Sequence, residues 1–131
     1  MDKLIVATDK APKAIGPYSQ AVGVGQMLFL SGQIPLSPVT GEVVGQDVAQ
    51  QTEQVLENLA AVLSAAGLSF EHLVKTTIYL RDLEDFKTVN EVYAKRFSDA
   101  PPARATVEVS RLPRNVKVEI DGIAVIPPAE S

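Results

Sequence analysis

Residues 47–67, DVAQQTEQVLENLAAVLSAAG, and residues 73–81, LVKTTIYLR, are the two segments that decide the fold class of this chain. In the first segment, apolar side chains recur at the spacing of a helical face, and Asp47 before them is a favourable N-cap. Gly67 stands where helices commonly end in a left-handed residue, so the pattern predicts a helix over residues 48–66. In the second segment, apolar and polar residues alternate with a period of two, which predicts a strand.

The chain before this helix is rich in strand and turn signals. Gly25-Gln26 separates two apolar runs and predicts a hairpin between them. Prolines and glycines indicate loops at residues 11–17 and 34–44, of which the second is expected to be exposed. The predicted strands of this part are residues 4–7, 19–24 and 27–31.

After the central strand, the pattern predicts one more helix and two more strands. Asp82 can cap the helix, and the double proline at residues 101–102 ends it. The two strands, residues 103–110 and 116–126, are expected to form a hairpin across a turn at residues 112–115. The apolar stripe of the predicted helix consists of Phe86, Val89, Tyr93 and Phe97.

The apolar pattern of the last predicted strand changes phase. Val118 and Ile120 are even-numbered, whereas Ile123 and Val125 are odd-numbered. Two explanations are open: both faces are buried near the end of the strand, or Gly122 marks a bulge that shifts the register. A sheet with helices on one face and a partner subunit on the other would account for the first. The tail, residues 127–131, is expected to be frayed.

The predicted element order is therefore β-β-β-α-β-α-β-β in a chain of 131 residues, which fits a single domain over residues 1–131. This order predicts an α+β sandwich in which one mixed, mainly antiparallel sheet carries two helices of about 14 to 19 residues on one face.

The composition excludes several classes of protein. The absence of cysteine rules out disulfides, thiolate zinc sites and cysteine nucleophiles, and the single histidine, His72, is expected to be an exposed surface residue rather than a metal ligand. A net charge of −4 without a basic stripe disfavours nucleic-acid binding. The apolar runs are too short to span a membrane or to form a signal peptide, so we expect a cytoplasmic protein.

Arg104 is the most interesting polar residue of the predicted strands. Alternation places Thr106 on the same face, where a guanidinium fork and a hydroxyl can hold a carboxylate together. The alternative, which spacing alone favours, is a structural arginine paired with Glu108 or Glu119. Glu119 itself is either part of a solvated strand face or a general base. Tyr18 follows a rigid Gly-Pro pair and either covers a pocket or packs a turn.

The chain resembles the RidA/YjgF family in a series of blocks that cover nearly its whole length. No single block is decisive, but the set in this order is highly specific. The blocks are AIGPYSQ at residues 14–20, SGQIP at 31–35, AGL at 66–68, VKTT at 74–77, FKTVN at 86–90, PARATVEV at 102–109 and VKVEID at 116–121.

This resemblance implies a chorismate-mutase-like α+β fold that assembles as a homotrimer, with the sheets around a central barrel, the helices outside and the sites between subunits. It also implies an imine deaminase of metabolite damage control, a hydrolase acting on C=N bonds. Such an enzyme converts 2-iminopropanoate and 2-iminobutanoate, which arise from PLP-dependent dehydratases, to 2-keto acids and ammonia. No metal and no organic cofactor is implied.

The resemblance also implies roles for individual residues. Arg104 is expected to hold the substrate carboxylate, Glu119 to activate the attacking water and Tyr18 to close the cleft. At Thr106 many relatives have cysteine, and the ligand contact expected there is made by the backbone N–H. The further substrate-binding residues implied are Ser31, Gly32 and Asn90.

Three other functions remain open at this point. The same site would serve a non-catalytic trimer that senses 2-keto acids, and turnover of an imine would separate the two. Some relatives are described as endoribonucleases or translation inhibitors, which the acidic charge disfavours here. Chorismate mutase chemistry is suggested by the fold alone, which is a weak warrant.

Overall fold

The computed structural model describes residues 2–128 and contains a mixed six-stranded sheet of order β1-β2-β3-β6-β4-β5. The strands are β1 (Leu4–Val6), β2 (Ala21–Val24), β3 (Met27–Gln33), β4 (Leu73–Leu80), β5 (Ala103–Glu108) and β6 (Val118–Val125), and the helices are α1 (Val48–Ala65) and α2 (Phe86–Ala94). The predicted element order and the α+β class are confirmed, whereas residues 129–131 of the predicted tail lie outside the described residues. No helix of residues 2–128 is long and apolar enough to cross a bilayer.

Helix α1 begins and ends where the sequence predicts, to within one residue. The Asp47 carboxylate accepts a hydrogen bond of 2.8 Å from the N–H of Gln50, which satisfies one of the free donors at the N-terminus. At the other end, Gly67 has a φ of +76°, and the N–H of Leu68 returns to the carbonyl of Leu63 at 2.9 Å. These two caps fix the length of the helix locally.

Both helices pack on one face of the sheet and build a single core there. Helix α1 lies against β3 and β6 and contacts α2. The Tyr93 hydroxyl of α2 makes a buried hydrogen bond of 2.6 Å with Thr76 of β4. The largest fully buried side chains are Leu28, Leu56, Leu59, Leu63, Ile78, Leu80 and Ile120. The other face of the sheet is uncovered in the single chain.

The second helix is shorter than predicted. Asp82 does act as a cap, but its carboxylate accepts from the N–H of Glu84 at 3.0 Å and so caps a 3₁₀ turn over Leu83–Asp85. Helix α2 follows with 9 residues, and tighter i to i−3 hydrogen bonds end it before Phe97. Phe97 still continues the apolar stripe, because its ring lies 4.7 Å from that of Tyr93.

The hairpin predicted between the last two strands is wrong. Strand β5 pairs with β4 in parallel, and β6 lies between β3 and β4. Glu108 at the end of β5 and Val118 at the start of β6 both pair with Leu80, so the connection passes around the end of β4. The physical reason is burial: β6 carries apolar residues on both faces and is central, whereas β5 is mostly exposed and forms an edge.

The phase change in β6 does not reflect a bulge at Gly122. Burial alternates without interruption from Val118 to Val125, with the even-numbered residues on the helix face and partly buried odd-numbered residues on the uncovered face. The first of the two explanations, that both faces of the strand carry buried apolar residues, is therefore confirmed. The irregularities lie in the neighbouring strands, between Leu30 and Gln33 of β3 and between Leu73 and Lys75 of β4.

Candidate active site

A bulge in β3 creates a notch that Glu119 fills. Leu30 pairs with Gly122 and Gln33 pairs with Ile120, so Ser31 and Gly32 together face one residue of β6. A Cβ atom on Gly32 would overlap Oε2 of Glu119 and lie 2.9 Å from its Cδ, which is closer than real Cβ atoms approach their neighbours. Glycine stands at this position because of space, since its φ is not in the left-handed region.

Glu119 is a partly buried carboxylate on the central strand β6. It takes part in none of the ion pairs of residues 2–128. Burial, and after it the negative charge of Asp121, raises the pKa of Glu119. Such a group holds a proton more tightly than an exposed glutamate does, which is the property of a useful general base.

Ser31 ties the notch to the segment that carries Tyr18. The Ser31 hydroxyl donates a hydrogen bond of 2.5 Å to the carbonyl of Ser19, and the N–H of Ser31 donates to the carbonyl of Gln20 at 3.0 Å. Tyr18 precedes Ser19 in the chain, is 55% exposed and donates its N–H to the carbonyl of Gly16 at 2.9 Å. The structure places Ser31, Gly32 and Glu119 together, and we call them the glutamate cluster; the side chain of Tyr18 instead lines a pocket with Ile5, Lys13 and Ala14.

Helix α2 holds the guanidinium of Arg104 in a defined place. Nη1 of Arg104 donates a hydrogen bond of 2.7 Å to Oδ1 of Asn90. The Cζ atom of Arg104 lies 5.5 Å from the ring centroid of Phe86 and 5.2 Å from that of Tyr93, within the range of cation–π attraction. A groove of about 450 Å³ adjoins it, and its lining includes Phe97, Ser98, Pro101 and Pro102. The donors that Asn90 does not use remain available to a ligand.

The structural partners that the sequence suggested for Arg104 are wrong. Glu108 is on the same face but accepts the N–H of Leu83 at 2.9 Å, and Arg104 forms no ion pair within residues 2–128. Thr106 lies on this face too, and its Oγ1 atom is buried with no hydrogen-bond partner in the described part of the chain. We call Arg104, Thr106 and Asn90 the arginine cluster.

The two clusters lie on opposite faces of the sheet. Arg104 pairs with Thr76, whose side chain points to α2, so Arg104 is on the helix face. Glu119 pairs with Tyr79 and alternates with the buried Val118 and Ile120, so it is on the uncovered face. Strand β4 also separates β5 from β6. One chain therefore does not bring Arg104 and Glu119 together, contrary to the expectation that they lie on adjacent strands.

The remaining histidine and carboxylate side chains do not form a second candidate site in residues 2–128. His72 is partly buried, not exposed as expected, and its Nδ1 accepts the N–H of Ser69 at 3.0 Å in a cap of the turn before β4. In the described residues, histidine, aspartate and glutamate form no group of three or more that could hold a metal ion.

Comparison with known proteins identifies the family. The family model described as endoribonuclease L-PSP matches residues 8–126. This chain belongs to the RidA/YjgF family. The chain is 63% identical to Protein DfrA of Myxococcus xanthus, over 95% of this chain and 97% of that protein. It is 52% identical to the 2-iminobutanoate/2-iminopropanoate deaminase of Escherichia coli (strain K12), over 92% of this chain and 95% of that protein.

The solved structures agree on the fold of this RidA/YjgF member. E. coli TdcF with bound serine matches with a TM-score of 0.90 and 48% identity, over 95% of this chain and 99% of that one. The predicted fold, in which two helices pack on a mixed six-stranded sheet, is thus confirmed and matches that of its structural relatives.

The sequence of this RidA/YjgF chain did not predict that four further residues lie beside the two clusters. Phe86 and Tyr93 were assigned only to the apolar stripe of a helix, although they also support Arg104. Tyr79 and Asp121 share the uncovered face with Glu119. Alternation alone would have placed Asp121 on that face, but the pairing with Tyr79 required knowledge of the strand order.

Proposed function

We propose that this RidA/YjgF protein hydrolyses 2-iminobutanoate and 2-iminopropanoate to 2-keto acids and ammonia in the cytoplasm. The observation that carries the proposal is the placement of the Arg104 guanidinium, which Asn90 and two aromatic rings hold while its other N–H donors have no hydrogen-bond partner within residues 2–128. A planar fork of this kind suits a substrate carboxylate. The similarity to an E. coli imine deaminase and to a structure with a bound amino acid supports the same substrate class.

We further propose that the active form is a homotrimer with its sites between subunits. In one chain, Arg104 and Glu119 are on opposite faces of the sheet, so a small acid that touches both needs Arg104 of one copy and Glu119 of another. The uncovered sheet face favours assembly as well, because Ile5, Phe29 and Val107 are 54%, 47% and 41% exposed on it. A cyclic arrangement of heterologous contacts then creates one site at each interface.

In the proposed reaction, Arg104 pairs with the substrate carboxylate and fixes the imine carbon. Glu119 removes a proton from water, the hydroxide adds to that carbon, and the imine nitrogen takes up the proton that the water lost. In the resulting carbinolamine the hydroxyl proton moves to the amino nitrogen, the C–N bond breaks, ammonia leaves and the 2-keto acid remains. Tyr18 closes the cleft. The remaining contacts to the substrate come from Ser31, Gly32, Asn90 and the backbone of Thr106.

A coupled assay that generates the imine in situ from several amino-acid precursors tests this proposal. We expect Arg104→Ala to abolish the acceleration, and Glu119→Gln to slow turnover by about 10² to 10⁴ while keeping carboxylate binding. Arg111→Ala is the matched control, because Arg111 is exposed, belongs to neither cluster and donates a hydrogen bond of 3.3 Å to Oδ1 of the turn residue Asn115. Wild-type activity in Arg104→Ala would refute the assignment.

Mixing two inactive variants tests the position of the site between subunits. If Arg104→Ala and Glu119→Gln protomers are unfolded together, refolded and assembled at random, about a quarter of the interfaces pair an intact Arg104 with an intact Glu119. We expect activity to return to about that fraction. No recovery in trimers shown to be mixed would mean that both residues serve the site from the same chain.

The same measurements decide between the enzyme and its rivals. A sensor would bind pyruvate through Arg104 without accelerating loss of the imine. The description of the family model as an endoribonuclease raises RNA cleavage as an alternative. RNA degradation that persists in both Arg104→Ala and Glu119→Gln would point to a contaminating nuclease, whereas loss in both would assign it to this site.

A further inference from the structure

A tyrosine and a second carboxylate stand beside Glu119 on the uncovered face. Tyr79 of β4 is paired directly with Glu119 of β6. The hydroxyl of Tyr79 donates a hydrogen bond of 3.0 Å to Oδ2 of Asp121 rather than to Glu119. Asp121 follows Glu119 by two positions on the same face of β6, so their Cα atoms are about 7 Å apart along the strand.

We propose that Asp121 and Tyr79 are positioning residues that make Glu119 a stronger base. In this arrangement Tyr79 holds the Asp121 carboxylate in place, and the fixed negative charge favours the form of Glu119 that has taken up a proton from water. This inference rests on the proposed function of Glu119 and adds the two residues that adjust it.

No ion pair of residues 2–128 offsets the repulsion between the two carboxylates, and the nearest cation on this face is Lys75, which lines a pocket together with Asp121. The side chains that β3 and β5 direct to this face are uncharged in the described chain. The cations on the neighbouring positions of β4 and β6 are Lys75, Arg81 and Lys117, and none of them is among the ion pairs of residues 2–128. Arg81 is engaged elsewhere, because its Nη1 donates to the carbonyl of Asn115 at 2.8 Å.

The ionisation of the neighbouring groups is consistent with this assignment. Burial and the hydrogen bond to Asp121 raise the pKa of Tyr79, so the phenol keeps its proton and remains a donor at neutral pH. Burial raises the pKa of Glu119 first, and Asp121 raises it further.

Direct titration of Glu119 in the assembled protein tests the electrostatic effect without any need for turnover. The carboxyl carbons of glutamate are labelled with ¹³C, and the Glu119 signal is assigned by its loss in Glu119→Gln. We expect Asp121→Asn to lower the pKa of Glu119, and Tyr79→Phe, which frees the Asp121 carboxylate, to lower it by less. Asp99→Asn, an exposed aspartate after α2, is the matched control.

The pH dependence of kcat/KM then tests whether the effect acts on the reaction. The acidic limb of the kcat/KM profile should move to lower pH in Asp121→Asn by the same amount as the titration midpoint of the Glu119 signal. In Asp99→Asn the limb should stay in place. A Glu119 signal that titrates alike in the wild type, Asp121→Asn and Asp99→Asn overturns the inference, and so does an acidic limb that fails to move with the signal. If the wild type does not accelerate imine loss, the proposed function fails, and the titration still decides whether Asp121 strengthens Glu119 as a base.

Discussion

Substitution of Gly32 by alanine is the most direct test of how the glutamate cluster works. The new methyl group would lie 2.9 Å from Cδ of Glu119, whereas carbon atoms in contact are normally about 3.5–4.0 Å apart. Because Oε2 of Glu119 would overlap the methyl group even more closely than Cδ, the carboxylate must move by more than about 1 Å or leave the notch through rotation of its side chain. The displaced atoms belong to the flexible end of a side chain, so the sheet itself need not move.

The size of the kinetic effect follows from this displacement. A misplacement of about 1 Å at a reacting group costs about 10²-fold in rate, and complete loss of a general base costs about 10²–10⁴-fold. We expect kcat of Gly32→Ala to fall by about 10² to 10³, which corresponds to about 3–4 kcal/mol in the activation free energy. The KM should change much less, since Arg104 belongs to the other cluster and keeps its contact with Asn90.

The assay is the coupled imine hydrolysis, performed with two further variants. Gly23→Ala is the matched control, because the atoms nearest to a methyl group there belong to the side chains of Leu4 and Ile126, at 3.3 Å and 3.4 Å, and not to Glu119. In the double variant Gly32→Ala/Glu119→Gln, kcat should equal that of Glu119→Gln alone, because the base is already absent. Two results would refute the reasoning. One is a Gly32→Ala variant that keeps more than half of the wild-type kcat, and the other is a double variant whose kcat falls by the product of the two single-variant losses.

Three other predictions concern the remaining contacts. The raised pKa of Glu119 means that its charged form destabilises the folded state, so Glu119→Gln should have a higher unfolding free energy than the wild type at neutral pH, measured in urea titrations. This difference should vanish as the pH falls below the pKa of Glu119 in the unfolded chain, because the wild-type carboxyl is then protonated in both states. Asn90→Ala frees the Arg104 guanidinium and should raise KM by about fivefold with little change in kcat, measured in the coupled assay. Tyr93→Phe loses the buried hydrogen bond to Thr76 and should lower the unfolding free energy by about 1–2 kcal/mol in urea titrations.

Much of the local structure of this chain was predictable because its causes are local. The caps at Asp47 and Gly67 and the helical spacing between them set the limits of α1. The two-residue period gave the strands and correctly placed Arg104 and Thr106 on one face of β5. The order of the motifs was sufficient to predict the family, which the comparison with known proteins confirms.

The relation between distant strands was not predictable in the same way. Alternation shows which residues of one strand share a face, but it does not show which face another strand presents or which strands are neighbours. Strand β6 takes the central place because it can bury both faces, and this choice depends on the whole sheet. For the same reason, the contact of Tyr79 with Asp121 joins residues 42 positions apart and has no local signal.

The amino-acid sequence by itself determined the helix caps, the strand periodicity and the chemical types available for a site, above all the guanidinium of Arg104. Only the tertiary structure decided that Arg104 and Glu119 lie on opposite faces and that Gly32 leaves the space for Glu119. The physical reason is that caps and alternation arise from neighbours along the chain, whereas strand order and close approach arise from burial shared by segments far apart in it.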